Sequence, residues 1–172
     1  VLHACCHNPT GADLSDAQWL EVVESIRARG LVAFIDMAYQ GFADGIEPDA
    51  LALRLFAASG LQFFVSSSFS KSFSLYGERV GALSIVTASR DESARVMSQV
   101  KRVVRTNYSN PPTHGGAVVA AVLASPELRK LWEEELAGMR ERIRAMRTGL
   151  VDKLKARGVA QDFAFVARQR GM

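Results

Sequence analysis

The stretch LVAFID, residues Leu31–Asp36, is a continuous apolar run that a single carboxylate closes. Helix-like spacing of apolar residues lies on both sides of it along the chain. A continuous apolar run between helices is typical of a parallel strand, because helices cover both faces of such a strand and exclude water from it. This stretch therefore predicts an α/β fold built on a mostly parallel sheet.

Similar runs alternate with helical patterns on either side of this strand. Ser15 is a residue type that caps helix starts, here for a helix over Asp16–Arg29, and Gly30 is the type that follows helix ends. Further strands are predicted at Val1–Cys6, Gln62–Ser66 and Val80–Val86, and further helices at Ala50–Ala58, Asp91–Val104 and Gly116–Leu123. Alternating strands and helices imply right-handed β-α-β units, so we expect a three-layer α/β/α domain.

One long helical pattern dominates the last part of the chain. Pro126 stands where a proline favours a helix start, and apolar periodicity continues from there to Ala156. A helix longer than the usual ~8–20 residues suits a bridge between domains. We expect part of a large domain over residues 1–125, an interdomain helix over 126–158, and the start of a smaller C-terminal α/β domain over 159–172, with a strand at Phe163–Val166.

The composition is that of a soluble globular chain, with 48% hydrophobic and 23% charged residues. The net charge of +3 is scattered, without a run of Lys and Arg, which argues against a nucleic-acid partner. No apolar run approaches the ~20 residues that cross a bilayer, so no membrane partner is expected. Cys5 and Cys6 are adjacent and form neither a disulfide framework nor a zinc-ligand array, which favours a reducing, cytoplasmic setting and no metal site.

Three chemically capable residues, Asn8, Asp36 and Lys71, each follow the end of a predicted strand. Ligands of open α/β sheets bind where the carboxyl ends of the strands meet. The sequence therefore predicts that these residues share one site at that edge of the sheet.

Lys71 ends the serine-rich run Ser66–Lys71. A lysine amine forms an imine with an aldehyde only when it is deprotonated, which requires burial or nearby positive charge because its ordinary pKa is about 10.4. The serine hydroxyls and the guanidinium of Arg79 are donors suited to a phosphate. The competing interpretation is a surface lysine beside a polar loop, and the local sequence alone favours it.

Asp36 and Tyr39 change that balance. A carboxylate at a strand end suits an ion pair with a protonated pyridine nitrogen, which keeps such a ring an electron sink. The Tyr39 hydroxyl suits a hydrogen bond to an oxygen of the same ring. Taken singly, each polar residue has a structural alternative, with Asp36 as a cap and Asn8 as the opener of an Asn-Pro turn.

Five motifs together have the order and spacing of one family. They are HNPTG at 7–11, DMAYQGF at 36–42, SFSK at 68–71, YGERVG at 76–81 and RTNYSNPP at 105–112. In these motifs the chain resembles the class I pyridoxal-phosphate-dependent aminotransferases over essentially all of its length, and within them the aspartate and aromatic-amino-acid (tyrosine) subgroup. The resemblance implies the large domain of a fold type I pyridoxal-phosphate transferase.

The resemblance also implies pyridoxal 5'-phosphate as the cofactor and a role for each site residue. Lys71 would form a Schiff base with the cofactor and move the substrate proton, Asp36 would pair with the pyridine nitrogen, and Tyr39 would hydrogen-bond the ring oxygen. Asn8 would contact both that oxygen and the substrate carboxylate. The phosphate would be held by Ser68, Ser70 and Arg79.

In the family, the residue that Arg105 matches reaches into the neighbouring subunit's site and pairs with the distal carboxylate of a dicarboxylic substrate, and Ser109 lies in the same loop. The resemblance therefore implies a homodimer with shared active sites. We expect it to move an amino group between an aromatic or dicarboxylic L-amino acid and 2-oxoglutarate. The alternatives are a strict aspartate aminotransferase, giving oxaloacetate and glutamate, and a pyridoxal-phosphate-sensing regulator with an aminotransferase-like domain.

The chain opens inside an apolar run and closes without completing an element, so we expect an internal fragment of a longer protein. In the family, a phosphate-binding loop, a ring-stacking aromatic residue and a cross-subunit tyrosine would precede Val1. The arginine that binds the substrate α-carboxylate would follow Met172. Residues 1–172 expressed alone are therefore expected to be inactive.

Overall fold

The computed structural model describes residues 1–171 and places the strands in one four-stranded sheet of order β1-β2-β3-β4. The elements in chain order are β1 (Leu2–His3), α1 (Asp16–Ala28), β2 (Ala33–Met37), a 3-10 turn (Pro48–Ala50), α2 (Leu51–Ala58), β3 (Phe63–Ser68), β4 (Gly81–Val86), α3 (Arg90–Asn107), α4 (His114–Ala124), α5 (Pro126–Ala156) and α6 (Ala164–Arg168). The predicted α/β class is confirmed.

The sheet is mostly parallel, as predicted. β1, β2 and β3 run parallel and are joined through helices, with Ala33 opposite Phe63 and Met37 opposite Ser67 in the β2–β3 register. β4 instead pairs with β3 in the antiparallel direction, which departs from an unbroken series of β-α-β units. Residues 69–80, between these two strands, contain no helix, so the chain turns back along β3 rather than crossing over.

Helix α1 begins and ends close to its predicted bounds. The Ser15 hydroxyl accepts a hydrogen bond from the backbone N–H of Gln18, whose side chain accepts one from the Ser15 N–H in return. This capping box satisfies two of the N–H groups that a helix start leaves unpaired. The helix ends at Ala28, and Gly30 takes the left-handed φ of +60° that glycine adopts without strain.

The main core lies between the central strands and helices α1 and α2. Ile35 and Phe56 are fully buried, and Trp19 packs edge-on against Phe56 with ring centroids 6.5 Å apart. Phe56 also contacts Phe63 of β3, at 5.4 Å between centroids. Truncating a buried phenylalanine typically costs about 3–5 kcal/mol. This cluster therefore fixes the strands whose ends carry the polar residues.

A second buried cluster joins the turn after β2 to helix α5. Its members are Cys5, Cys6, Tyr39, Phe42, Ala43 and Leu136. Gly41 lies in that turn with φ +96°, and a Cβ at this position would overlap the Leu136 side chain. Both its backbone conformation and its packing thus require glycine at Gly41.

Arginines of α5 also bind backbone carbonyls on other segments. One pair of them holds the turn after β2, and a third holds the segment after α6. The pairs are Arg140 with the Gly41 carbonyl at 2.8 Å, Arg144 with the Ala43 carbonyl at 2.5 Å, and Arg147 with the Gln169 carbonyl at 2.6 Å. Helix α5 therefore connects the sheet edge to the end of the described chain.

Strand β1 is shorter than the strand predicted over Val1–Cys6. Only Leu2–His3 belong to it, and one further backbone bond joins the Ala4 N–H to the Asp36 carbonyl at 3.0 Å. Cys6 takes φ +51°, which turns the chain away from the sheet. Val1 is exposed, and Cys5 and Cys6 are buried in the second cluster rather than in the sheet.

Other boundaries shift by a few residues. β2 covers Ala33–Met37, so Asp36 lies within the strand rather than after it, while Leu31 and Val32 are exposed. α3 continues to Asn107, beyond the predicted end at Val104. These shifts move no site residue away from the sheet edge.

The strand predicted at Phe163–Val166 is wrong, because α6 covers Ala164–Arg168 instead. The Asp162 carboxylate accepts the Ala164 backbone N–H at 2.8 Å, an Asx turn that leads into this helical turn. The aromatic and β-branched composition favoured a strand. Within residues 1–171, however, no strand pairs with this segment, and local hydrogen bonds decide its conformation.

Helix α5 spans Pro126–Ala156, as its periodicity predicts. The division into residues 1–125, 126–158 and 159–172 stays a prediction, and Met172 lies outside the described residues.

The sheet edge formed by β4, and helix α3, leave apolar side chains in contact with solvent. Most of β4 is exposed and α3 contains no buried residue. Leu83 is 52% exposed and Val103 is 63% exposed. Within residues 1–171, no helix has both the length and the apolar character needed to cross a membrane.

Candidate active site

The carboxyl ends of β1, β2 and β3 meet at one edge of the sheet, and Asp36 lies there between two polar neighbours. Ser66 Oγ donates to Asp36 Oδ1 at 3.1 Å, and His3 Nε2 lies 3.9 Å from Asp36 Oδ2. The Asp36 side chain keeps 34% of its surface exposed. Because an ionised carboxylate has about four acceptor positions, it can still bind a cationic group from the open side.

Asn8 and Tyr39 meet beside this carboxylate. Asn8 Nδ2 donates to the Tyr39 hydroxyl at 3.2 Å, and the Asn8 backbone N–H donates to His3 Nδ1 at 3.3 Å. Tyr39 is buried, whereas Asn8 is exposed. The pair therefore presents an amide and a phenol at the wall of a site that opens to solvent.

Lys71 Nζ lies 5.0 Å from the centroid of the Tyr39 ring, a cation–π contact. The three strand ends thus bring Asn8, Asp36, Tyr39 and Lys71 to one edge of the sheet, where the sequence predicts them. The chemical roles assigned to them stay predictions at this point.

The segment after Lys71 is held by the indole of Trp132 on α5. Trp132 Nε1 donates to the Ser72 carbonyl at 2.6 Å, next to the lysine in the chain. The Trp132 ring stacks on Phe73 with centroids 4.5 Å apart. Trp132 belongs to the apolar periodicity of α5, which indicates packing, and its polar contact fixes the backbone beside Lys71 as well.

Ser68 and Ser70 precede the lysine in the chain, and Arg79 follows it before β4. The Ser70 backbone N–H donates to Ser68 Oγ at 3.3 Å, and Ser70 is only 5% exposed. Arg79 is exposed, takes φ +51°, and donates from Nη1 to the Tyr76 carbonyl at 3.0 Å. Two hydroxyls and a guanidinium form a donor set that suits a phosphate.

The start of α4 supports the Arg79 segment. A Cβ at Gly115 would come within 2.8 Å of the Glu78 Cβ, so glycine permits this close approach. His114 Nδ1 also lies 2.9 Å from Glu78 Oε2. Two contacts on neighbouring residues therefore hold the backbone that carries the guanidinium.

Arg105 and Ser109 lie apart from the Lys71 group, which consists of Asn8, Asp36, Tyr39 and Lys71. Arg105 is in the last turn of α3, and its Nη1 donates to Ser109 Oγ in the loop that follows. Ser109 takes the left-handed φ of +68°. Within residues 1–171, no hydrogen bond or ion pair joins either residue to Lys71, Asp36 or Tyr39.

Cys5, Cys6 and Asp49 form a buried group whose Sγ and carboxylate atoms lie within 4.8 Å of one another. The hydrogen bond with Cys6, and then burial, raise the pKa of the Cys5 thiol and oppose the thiolate that a metal needs. The Asp49 carboxylate already accepts backbone N–H groups of the turn after β2. These come from Gly41 at 2.8 Å, Ala43 at 3.0 Å and Asp44 at 2.9 Å. The Asp49 carboxylate of this group therefore supports the turn after β2.

The sequence predicts no site role for Asp13, Asp49 or Trp132. All three bind backbone groups beside site residues. A carboxylate in a loop and an indole on an apolar helix face are common in any sequence, so the residue types gave no usable signal. For Asp13 alone, its position just after the HNPTG motif was a hint.

Across the whole stretch 1–172, the chain matches the sequence profile described as "Aminotransferase class I and II". The chain therefore belongs to the class I and II aminotransferases. An aspartate aminotransferase of Pseudomonas aeruginosa is 71% identical over 172 residues, which cover 100% of this chain and 43% of that protein. A tyrosine aminotransferase of Klebsiella pneumoniae is 51% identical over the same length, again 43% of that protein.

Among solved structures, an aromatic-amino-acid aminotransferase of Burkholderia pseudomallei, covalently bound to pyridoxal phosphate, is 72% identical with a TM-score of 0.98. The match covers 99% of this chain and 43% of that one. The chain therefore spans less than half the length of the relatives it matches.

Proposed function

We propose that the protein carrying this chain is an aminotransferase that moves an amino group between an aromatic or dicarboxylic L-amino acid and 2-oxoglutarate. The observation that carries the proposal is the convergence of Asp36, Tyr39 and Lys71 at one sheet edge, with Lys71 Nζ 5.0 Å from the Tyr39 ring centroid.

The residues present fit pyridoxal phosphate. Asp36 offers an ionised group for the pyridine nitrogen, held in place by Ser66. Tyr39 and Asn8 offer two donors side by side for the ring oxygen. When bound, the cofactor supplies an aldehyde for the amino group and a ring that takes up the electron pair released at the substrate Cα.

Lys71 is the residue proposed to hold the cofactor covalently and to move the proton. Its amine lies over the face of the Tyr39 ring, in a partly buried position. An amine tethered at the site is also positioned to take a proton from Cα and return it elsewhere. The Trp132 contact beside it limits how far the segment can shift.

Ser68, Ser70 and Arg79 are proposed to bind the cofactor phosphate. The guanidinium suits two parallel hydrogen bonds to phosphate oxygens, and the hydroxyls add neutral donors. Burial of Ser70 supports this assignment, because a phosphate held there is shielded from exchange with solvent.

Arg105 and Ser109 are proposed to act in the site of a second subunit of a homodimer. Their lack of contact with the Lys71 group supports this arrangement, since a substrate-binding arginine must reach a site. A guanidinium matches the distal carboxylate of a dicarboxylic substrate. The cytoplasmic location expected from the sequence stays a prediction.

The amino donor is proposed to include aromatic amino acids. Relatives of nearly equal identity carry both names, with an aspartate aminotransferase at 71% and an aromatic-amino-acid aminotransferase at 72%. Turnover of phenylalanine and aspartate by the full-length protein separates the two activities. A negligible phenylalanine rate would favour the strict aspartate alternative.

The absorbance spectrum of the full-length protein tests the central assignment. We expect a visible band from the imine between Lys71 and the cofactor, and its loss in Lys71→Ala. Lys153→Ala, on the exposed surface of α5, is the matched control and should keep the band. An unchanged spectrum in Lys71→Ala would reject the assignment.

A further inference from the structure

Asp13 lies outside the site but binds the loop that enters it. Its Oδ2 accepts the backbone N–H of Cys6 at 2.7 Å, and its Oδ1 accepts the backbone N–H of His7 at 2.8 Å. One carboxylate thus uses both oxygens on two consecutive N–H groups. Hydrogen bonds to an ionised acceptor are stronger than those between neutral groups.

The loop needs such a partner because of its backbone conformation. Cys6 has φ +51°, a left-handed conformation that is costly for any residue with a Cβ. Around a left-handed residue, successive N–H groups can point to one side and form a concavity that binds an anion. The Asp13 carboxylate occupies that concavity and offsets the free-energy cost of the left-handed conformation at Cys6.

The next residue in the loop is Asn8, the amide donor to Tyr39 at 3.2 Å. Asn8 is exposed, so little packing fixes its side chain. Its backbone N–H bond to His3 is long, at 3.3 Å. The two short bonds to Asp13 hold the backbone that leads into Asn8 from one side, and the Gly11 N–H bond to the His7 carbonyl at 2.9 Å holds it from the other.

We propose that Asp13 is a positioning residue, which acts by holding the Cys6–His7 backbone so that the Asn8 amide faces Tyr39 and the cofactor ring oxygen. The proposal rests on the proposed function, since Asn8 has a chemical role only if the cofactor binds at this edge. It adds a residue that touches neither cofactor nor substrate.

The variant that removes one of the two Asp13 hydrogen bonds is Asp13→Asn, in the full-length protein loaded with pyridoxal phosphate. The amide keeps one acceptor but turns an NH₂ donor toward the second backbone N–H, so one of the two bonds is lost. Asp16→Asn is the matched control, because it removes the same charge from an exposed carboxylate that makes no hydrogen bond to the loop.

Two readouts should change in Asp13→Asn and stay unchanged in Asp16→Asn. kcat/KM should fall about tenfold, the scale of a small misplacement at a reacting centre. The pH at which the visible band titrates should move upward, because a misplaced Asn8 amide stabilises the deprotonated ring oxygen less. A lower thermal midpoint with unchanged titration would overturn the proposal.

A double-mutant cycle tests whether Asp13 acts through Asn8. Asn8→Ala removes the amide, so adding Asp13→Asn should change neither the titration nor kcat/KM any further. Additive effects of the two substitutions would mean that Asp13 acts by another route, and would reject the proposal.

Asp13→Glu is the second variant, in case Asp13→Asn does not fold. It keeps the charge, shifts the carboxylate by one methylene, and should move the titration in the same direction. If neither variant folds, Asp13 is a folding residue and the positioning role is rejected. A wild-type protein without any visible band would instead refute the proposed function, so the two failures are distinguishable.

Discussion

Cys5 links the stability of the fold to pH. The hydrogen bond with Cys6, and then burial, raise the pKa of its thiol above the ordinary value. The folded chain thus holds this proton more tightly than the unfolded chain. The resulting stabilisation is complete below the unfolded pKa of about 8.5 and declines as the pH rises above it.

We therefore expect the free energy of unfolding to fall above about pH 8.5, with Cys5 contributing up to about 1.4 kcal/mol per pH unit. Urea denaturation of the full-length protein at a series of pH values measures it. Cys5→Ala is the comparison, because it lacks the titrating thiol and should show a shallower decline. Equal slopes in the two proteins would show that the thiol does not contribute.

Among single residues, the sequence predicts those that close an apolar run and misses those whose side chains bind backbone N–H groups. Asp36 was identifiable because a polar residue that closes an apolar run marks the edge of a sheet, whereas Lys71 was identifiable only from the five motifs together. Asp13 and Asp49 have no such marker, since they bind backbone N–H groups whose positions depend on the fold. The left-handed φ of Cys6, which creates the Asp13 site, is unusual for its residue type.

Helix α5 acts on the lysine segment through one indole. We expect Trp132→Phe to lower kcat with little change in KM, because it keeps a ring on Phe73 but leaves the Ser72 carbonyl without its donor. The lost bond should also lower the free energy of unfolding by about 1 kcal/mol. Steady-state kinetics and thermal denaturation of the full-length protein measure both.

Trp19→Phe is the matched control for that prediction. Trp19 packs against Phe56 in the main core, away from the lysine segment. Its substitution should reduce stability and leave kcat unchanged. A kcat loss of equal size in both variants would mean that Trp132 acts only through general stability.

Elements with strong periodicity were predicted well, and those that depend on a partner were not. α1 and α5 follow from their caps and apolar spacing, which are local properties of the chain. The antiparallel direction of β4 depends on the loop before it, and the conformation of Ala164–Arg168 depends on which segments lie nearby. Composition alone does not carry that information.

The assembly of two subunits can be tested with a pair of inactive variants. Suppose that Arg105 acts in the partner's site, as proposed. A mixed dimer of Lys71→Ala and Arg105→Ala subunits then contains one site with both residues intact. After subunit exchange in an equal mixture, about a quarter of all sites are restored, since half of the dimers are mixed.

Aspartate turnover before and after mixing measures this restoration. Neither variant alone should process a dicarboxylic substrate well. If Arg105 serves its own subunit, the mixed dimer contains no intact site, and mixing leaves the rate unchanged. A mixture of Lys71→Ala with Asp36→Ala is the control, because both residues belong to one sheet edge and mixing should restore nothing.

The α/β fold was predictable because strands and helices alternate along the chain. Which apolar residues remain exposed to solvent was not predictable. The apolar residues of β4 look in sequence like a buried strand, yet most of this strand is exposed. Whether such a run is covered depends on chain segments and partners outside it.

Helix α5 has mechanical consequences because it is both long and attached at several points. Its 31 residues span about 46 Å at 1.5 Å per residue. Its arginines bind the turn beside Tyr39 and the segment after α6. The helix therefore joins the sheet edge to the end of the described chain as one rigid element. A tilt of about 5° about its first turn displaces its far end by about 4 Å but moves Trp132 by less than about 1 Å. Arg140 lies about 21 Å from that first turn, so the same tilt would displace its bond to the Gly41 carbonyl by about 2 Å. The site therefore stays in register only when the sheet edge moves together with the helix.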